Sequence, residues 1–227
     1  MTIFERALEF VADGDAVGLG TGRAAGAFIK LLAQRVGAGL RVRGVPTSTP
    51  AEQLARSLNV PLVSLEEVFP LALTVDGADE VAPNLDLLKG WGRALVREKV
   101  VAACSRRLVI LAGTSKAVPK LGTRGKLPVE VVPFALPLCR RRLAELGCKP
   151  VLYEEGGKPF RTDNGNHILD CAVGPIDDPA ALEARLRAVP GVVGTGLFLG
   201  MADVVLFGDE SDNFRLVEEQ RRQALED

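Results

Sequence analysis

The sequence predicts an α/β protein: a doubly wound, mostly parallel, Rossmann-like sheet with a smaller inserted ferredoxin-like α+β domain. Three observations carry this prediction. Through the first 112 residues, short near-continuous apolar runs alternate with helical patterns, the signature of parallel strands buried on both faces. After the turn-rich Gly122-Thr123-Arg124-Gly125 the rhythm becomes β-α-β-β-α-β, the split βαβ unit. One further apolar run, Val204-Val205-Leu206-Phe207, then returns to the first pattern. The expected division is 1–126 with 200–227 for the Rossmann-like domain and 127–199 for the α+β domain.

The elements follow in order. Thr2, with Glu5 three residues on, reads as a capping box opening a helix over 3–12 that stops at Asp13-Gly14. Residues 16–20 form an apolar strand and 23–36 an amphipathic helix. A strand near 40–45 leads to Thr49-Pro50, a cap followed by proline at the first helical position. Asn59 ends that helix ahead of a short strand at 61–64. The run Leu71-Ala72-Leu73-Thr74-Val75 reads as a buried strand, followed by a helix over 93–103 and a strand at 107–112. In the second half, strands are expected at 129–132, 149–154, 159–161, 167–173 and 192–198. Helices fall at 136–146 and 179–188, and Gly156-Gly157 makes a turn. A charged helical tail is expected after the strand at 204–207.

Composition excludes several function classes. The 227-residue chain is 47% hydrophobic and 25% charged with a formal net charge of -1, so it offers no broad basic face to nucleic acid. No apolar run approaches the roughly 20 residues of a membrane span. Met1-Thr2-Ile3-Phe4-Glu5 lacks the basic-then-apolar order of a signal peptide. Cys104, Cys139, Cys148 and Cys171 are too scattered for a disulfide framework or a zinc site. As reduced small hydrophobes they point to the cytoplasm. The single histidine, His167, follows the turn string Thr162-Asp163-Asn164-Gly165-Asn166, so it reads as structural and no metal site is expected.

Four strings carry chemistry. The strand at 71–75 empties into Asp76-Gly77-Ala78-Asp79-Glu80, at the strand end where open α/β sheets bind ligands. Asp76 and Asp79 flank Gly77-Ala78, so both carboxylates can serve one pocket, and their proximity favours proton shuttling. The plainer alternative is a solvated turn. Lys89-Gly90-Trp91-Gly92 supplies a cation on a backbone-exposing loop. Beyond it, Glu98 shares a helical face with Ala94, Leu95 and Val101. Buried there, it is a competent base; exposed, it merely pairs with an arginine.

The stretch from Gly18 to Ala25 (GLGTGRAA), between strand and helix, suits an anion at a helix N-terminus. Gly20-x-Gly22-x-x-Ala25 also fits the dinucleotide fingerprint. No acid closes the next strand at Arg41-Val42-Arg43-Gly44-Val45-Pro46, which disfavours NAD and leaves an NADP oxidoreductase as a rival. Thr47-Ser48-Thr49 reads as a helix cap at the same edge. Ser115-Lys116 places another cation after the strand at 107–112.

Together these strings resemble the A-type ribose-5-phosphate isomerases along nearly the whole chain. The matching stretches are Gly20-Thr21-Gly22, Asp76 through Glu80, Lys89 through Lys99, Ser115-Lys116, Leu127 through Val131, Thr162 through Asn166 and Gly191 through Asp203. The resemblance implies an isomerase interconverting ribose 5-phosphate and ribulose 5-phosphate through a cis-enediol(ate). It further implies a cytoplasmic, cofactor-free enzyme, homodimeric or larger. Glu98 would be the base between C1 and C2. Asp76 with Asp79 would handle hydroxyl protons and ring opening, and Lys89 would steady the oxyanion.

Phosphate contacts would come from Thr21, Gly22, Arg23 and Ala24, with Gly77, Ala78, Gly90, Trp91, Gly92 and Lys116 completing the substrate contacts. Two departures from the family pattern stand out. Arg23-Ala24 replace the usual Ser and Thr, exchanging two hydroxyls for a guanidinium able to grip phosphate bidentately. Trp91 and Arg93 interrupt the usual glycine run. The rival from another class is a sugar-phosphate-sensing regulatory module of related fold, which could dispense with Glu98.

Overall fold

The computed structural model describes residues 1–208 and, for the backbone, 214–218. In chain order the elements are α1 (Ile3–Leu8), β1 (Ala16–Leu19), α2 (Arg23–Gly37), β2 (Arg43–Pro46), α3 (Thr49–Ser57), β3 (Leu73–Gly77), β4 (Glu80–Val81), β5 (Leu87–Leu88), α4 (Leu95–Ala103) and β6 (Leu108–Gly113). Then come β7 (Lys126–Val131), α5 (Leu136–Glu145), β8 (Lys149–Leu152), β9 (Glu154–Glu155), β10 (Lys158–Pro159), β11 (His167–Ala172), α6 (Pro179–Arg187), β12 (Val192–Thr195), β13 (Leu197–Phe198), β14 (Val204–Gly208) and β15 (Phe214–Glu218).

Two units result. The first comprises Met1–Ala78, Arg97–Lys116 and the chain from Gly200 onward; the second comprises Asp79–Val96 and Ala117–Leu199. The second is larger than the 127–199 segment expected, because β4 and β5 pair with β13 in a three-stranded antiparallel sheet. That partnership is non-local, and a linear boundary drawn at 126 misses it.

The first unit is built on the sheet β15-β14-β6-β3-β1-β2. Strands β2, β1, β3, β6 and β14 run parallel, and β15 closes the edge antiparallel to β14. Phe28, Ile29 and Leu32 of α2 pack in one cluster with Val17, Leu19, Leu73, Val75, Val109 and Leu206. Ala16, Val45, Leu71 and Val101 form a second cluster with Val68. Successive strand residues enter different clusters, so nearly every strand position is apolar. Each fully buried Leu or Phe contributes roughly 1.5–3 kcal/mol.

The capping box at α1 forms as the sequence announces, Thr2 accepting from Glu5 N–H and Glu5 from Thr2 N–H, although the helix stops at Leu8. Helix α3 is capped one residue earlier than expected, by Ser48. The strand expected at 61–64 is a single bridge from Leu62 to Gly44, since Pro61 has no N–H to extend a ladder. The helical tail is a strand where described, over Phe214–Glu218; its remainder lies outside the described residues.

In the second unit β7, β8, β11 and β12 form an antiparallel sheet in the order β12-β7-β11-β8, with α5 and α6 as its two crossovers. This is the β-α-β-β-α-β arrangement, with the small β9–β10 hairpin set between β8 and β11. Leu127, Val129 and Val131 of β7 share a core with Leu169 and Cys171 of β11, Cys139 and Leu143 of α5, and Leu186 of α6. The strand expected at 192–198 breaks at Gly196. There the backbone donates to Pro128 O at 2.8 Å and accepts from Lys89 N–H at 2.8 Å. A Cβ on Gly196 would sit 2.3 Å from Lys89 O, so only glycine fits.

Candidate active site

Counting only parallel strands, the first unit's sheet runs β2-β1-β3-β6-β14, and its winding reverses between β1 and β3. Ligands bind outside the carboxyl ends of strands at such a switch point. Thr21 leaves β1 there and Asp76 stands near the end of β3, and the two meet. Thr21 N–H donates to Asp76 Oδ1 at 3.0 Å, and Gly77 N–H donates to the same oxygen at 2.7 Å. Asp76 is 1% exposed, and charge-assisted bonds of this kind are what make a buried carboxylate tolerable. It lies on the strand rather than beyond it, because β3 runs two residues further than the apolar run and pairs Asp76 with Ile110.

Two glycines allow this approach. A Cβ on Gly20 would lie 2.2 Å from Asp76 Oδ1 and 2.6 Å from its Cα. Gly22 adopts φ +98, a left-handed region that favours glycine, and caps α2 without any side-chain bond. The first N–H groups of α2 therefore have no capping side chain. Arg23 is exposed and Ala24 half-buried at this helix start, and Ala24 Cβ lies 3.9 Å from where a Gly77 Cβ would be.

Thr21 Oγ1 lies 2.8 Å from Thr47 Oγ1 and donates to Ser48 Oγ at 2.7 Å, while Thr47 Oγ1 donates to Leu19 O at 3.0 Å. Ser48 thus caps α3 and also ties down Thr21, a double duty that the reading of Thr47-Ser48-Thr49 as a cap alone leaves out. Lys116 is half-buried on a 3-10 turn after β6, at the same edge by virtue of parallel pairing.

Glu98 sits in the first turn of α4, 3% exposed. Ala94, Leu95 and Val101, its companions on the expected face, are all buried. The exposed alternative is therefore excluded.

The second unit holds Asp79, Lys89, Gly90, Trp91 and Gly92. Asp79 Oδ2 accepts Trp91 N–H at 2.9 Å, and Asp79 N–H donates to Leu88 O at 2.9 Å. Lys89 is 3% exposed, with its Nζ 5.4 Å from the centroid of the Phe198 ring. Gly90 takes φ +102. Trp91 Nε1 donates to Lys126 O at 3.2 Å, so the indole is packed on β7. Glu80 is a residue whose role the sequence reading missed. Fully buried, it accepts Gly122 N–H and Arg124 N–H, each at 2.6 Å, and so pins the turn at 122–125. Its place in the acidic string was visible, but its partners more than 40 residues on were not.

His167 Nδ1 is 2.7 Å from Phe160 O. The four cysteines are free, and burial pushes the Cys104 and Cys139 thiols up. Among the described residues no group of three or more His, Cys, Asp or Glu could hold a metal ion, and no helix is long and apolar enough to cross a membrane.

Known proteins are similar to this chain in sequence and in fold. The family described as ribose 5-phosphate isomerase A (phosphoriboisomerase A) matches residues 43–212. A ribose-5-phosphate isomerase A of Roseiflexus castenholzii is 53% identical over 205 residues, covering 89% of this chain and 88% of the relative. Among solved structures, a D-ribose-5-phosphate isomerase in complex with phospho-erythronic acid superposes with a TM-score of 0.91 at 37% identity, covering 95% of this chain and 96% of the other. The Methanocaldococcus jannaschii ribose 5-phosphate isomerase A gives 0.90 at 37% identity, with 96% and 97% covered. Sequence and fold agree over nearly the full length of both partners, so the chain belongs to the ribose 5-phosphate isomerase A family.

Proposed function

We propose that the protein interconverts D-ribose 5-phosphate and D-ribulose 5-phosphate by general acid–base proton transfer through a cis-enediol(ate). The observation that carries this reading is the burial of two carboxylates, Asp76 at the switch point and Glu98 on α4, in a chain of this family. In the open-chain aldose, Glu98 takes the proton from C2. The C–H electrons form the C1–C2 double bond, and O1 becomes the oxyanion. Protonation of O1, loss of the proton from O2 and return of the proton from Glu98 to C1 then give the ketose. The change is internally redox-balanced, so it requires no external oxidant or cofactor.

Asp76 and Asp79 move the hydroxyl protons and assist ring opening. Lys89 and the N–H groups of Gly90, Trp91 and Gly92 stabilise the oxyanion. The phosphate is held by Thr21, Gly22, Arg23 and Ala24 at the uncapped start of α2, with Gly77, Ala78 and Lys116 completing the substrate contacts. A family relative solved with phospho-erythronic acid supports a phosphorylated sugar acid or sugar as the ligand class. The same reading places the enzyme in the cytoplasm as a homodimer or larger assembly.

The test is conversion of ribose 5-phosphate in the presence of chelator, with Glu98→Gln alongside. Undiminished turnover under chelation, and a kcat lowered about 10²–10⁴-fold by Glu98→Gln with KM little changed, are expected. A Glu98→Gln enzyme turning over at nearly the wild-type rate removes Glu98 as the base.

A further inference from the structure

The loop that carries Lys89 ends on a residue that pays for its place in backbone strain. Arg93 adopts φ +67, a conformation that L side chains rarely take. What holds it is its own side chain. Nη1 and Nη2 reach Asp170 Oδ1 and Oδ2 at 2.6 and 2.9 Å, a two-pronged pair with the side chains only 10% and 18% exposed. The guanidinium carbon also lies 3.6 Å from the centroid of the Tyr153 ring.

The anchor connects back to Lys89 by two short routes. Along the loop, Arg93 N–H donates to Gly90 O at 3.0 Å, closing the turn immediately after Lys89. Across the sheet, Asp170 on β11 stands opposite Pro128 on β7. Pro128 O accepts Gly196 N–H, and Gly196 O accepts Lys89 N–H, each at 2.8 Å. The side-chain anchor and the backbone anchor thus grip the same level of the antiparallel sheet.

We propose that Arg93, clamped between Asp170 and Tyr153, is a positioning residue for the Lys89 ammonium. A turn containing Gly90 and Gly92 has backbone freedom to spare, and the clamp removes it, so that the lysine meets the developing oxyanion already oriented. The inference rests on the oxyanion role proposed for Lys89. Asp170 and Tyr153 act through Arg93, and none of the three needs to touch substrate.

The experiment is steady-state kinetics on five variants of the full chain: Arg93→Gly, Arg93→Lys, Asp170→Asn, Lys89→Ala and the double variant Lys89→Ala/Arg93→Gly. Arg93→Gly also relieves the positive φ. The expected result is a kcat about 10- to 100-fold lower with KM within about twofold, the cost of roughly 1 Å of misplacement. Asp170→Asn, which leaves the loop's sequence intact, moves kcat in the same direction, and Arg93→Lys restores only part of the loss because it lacks the planar fork.

In the Lys89→Ala background, adding Arg93→Gly costs less than about twofold. A purely structural role instead lowers the thermal midpoint and leaves kcat at low temperature unchanged. That outcome, or an undiminished loss in the Lys89→Ala background, overturns the inference alone. A Lys89→Ala enzyme with wild-type kcat takes down the oxyanion role and this inference together.

Discussion

Replacing Gly20 by alanine tests whether the close approach of β1 to Asp76 builds the site. The added methyl would lie 2.6 Å from Asp76 Cα and 2.2 Å from Oδ1. Carbon atoms pack best at roughly 3.5–4.0 Å, so the backbones must part by about 1 Å. Because one of the obstacles is backbone, no rotamer change relieves it. Parting the strands stretches the Thr21 N–H to Asp76 bond and the 3.0 Å bond from Gly20 N–H to Val75 O.

Overpacking costs about 1–3 kcal/mol and a lost bond to a charged acceptor about 1.5–3 kcal/mol, together roughly 3–6 kcal/mol. For a chain of this size each kcal/mol is worth about 2–4 °C, so the thermal midpoint should fall by about 6–24 °C. Scanning calorimetry reads this directly, and turnover at low temperature should also drop as Asp76 is displaced. Gly37→Ala is the control. It is the last residue of α2, nothing lies within 4 Å of its added Cβ, and a gain of up to about 1 kcal/mol is expected. A Gly20→Ala protein that melts within about 2 °C of wild type and turns over normally would refute the reasoning.

Other perturbations have equally definite outcomes. Arg23→Ala should weaken binding of ribose 5-phosphate about 10- to 100-fold in titration calorimetry while leaving unphosphorylated ribose nearly unaffected; equal losses would remove Arg23 from the phosphate site. Glu80→Ala strips two buried N–H groups of their acceptor and should cost about 2–5 kcal/mol in urea denaturation, concentrated in the second unit. The Arg41 guanidinium beside Asp13 holds its carboxyl below the ordinary value of 3.8. A depressed carboxylate contributes stability that is complete above that value and lost as pH falls through the lower folded one. Asp13→Asn should therefore lower neutral stability slightly, the pair being exposed, and flatten the acid limb of the stability–pH curve below about pH 4 by the same small amount.

Much of this was readable from local pattern. Parallel strands buried on both faces must be apolar throughout, so β1, β3, β6 and β14 announce themselves as runs. Helix starts with chemical caps, at Thr2 and Ser48, are placed to within a residue. Glu98 was identifiable because an acid on an apolar helix face breaks a period that the sequence itself displays. What escaped was decided by partners far along the chain. Phe214–Glu218 is a strand because β14 offers it an edge, and no local signal distinguishes it from a charged helix. The split of the last strand at Gly196 follows from two backbone bonds, to Pro128 and Lys89.

The sequence by itself determined the fold class, the family and the identity of the chemical groups, because periodicity and motif spacing are properties of neighbouring residues. Only the tertiary structure decided which donors each buried acid meets. Asp76 accepts two N–H groups at the switch between β1 and β3, whereas Glu80, four residues on, is drawn fully inside to hold a distant turn. The physical reason is that a buried carboxylate must find donors, and those donors come from wherever the folded chain brings its free N–H groups, a fact written in no window of sequence.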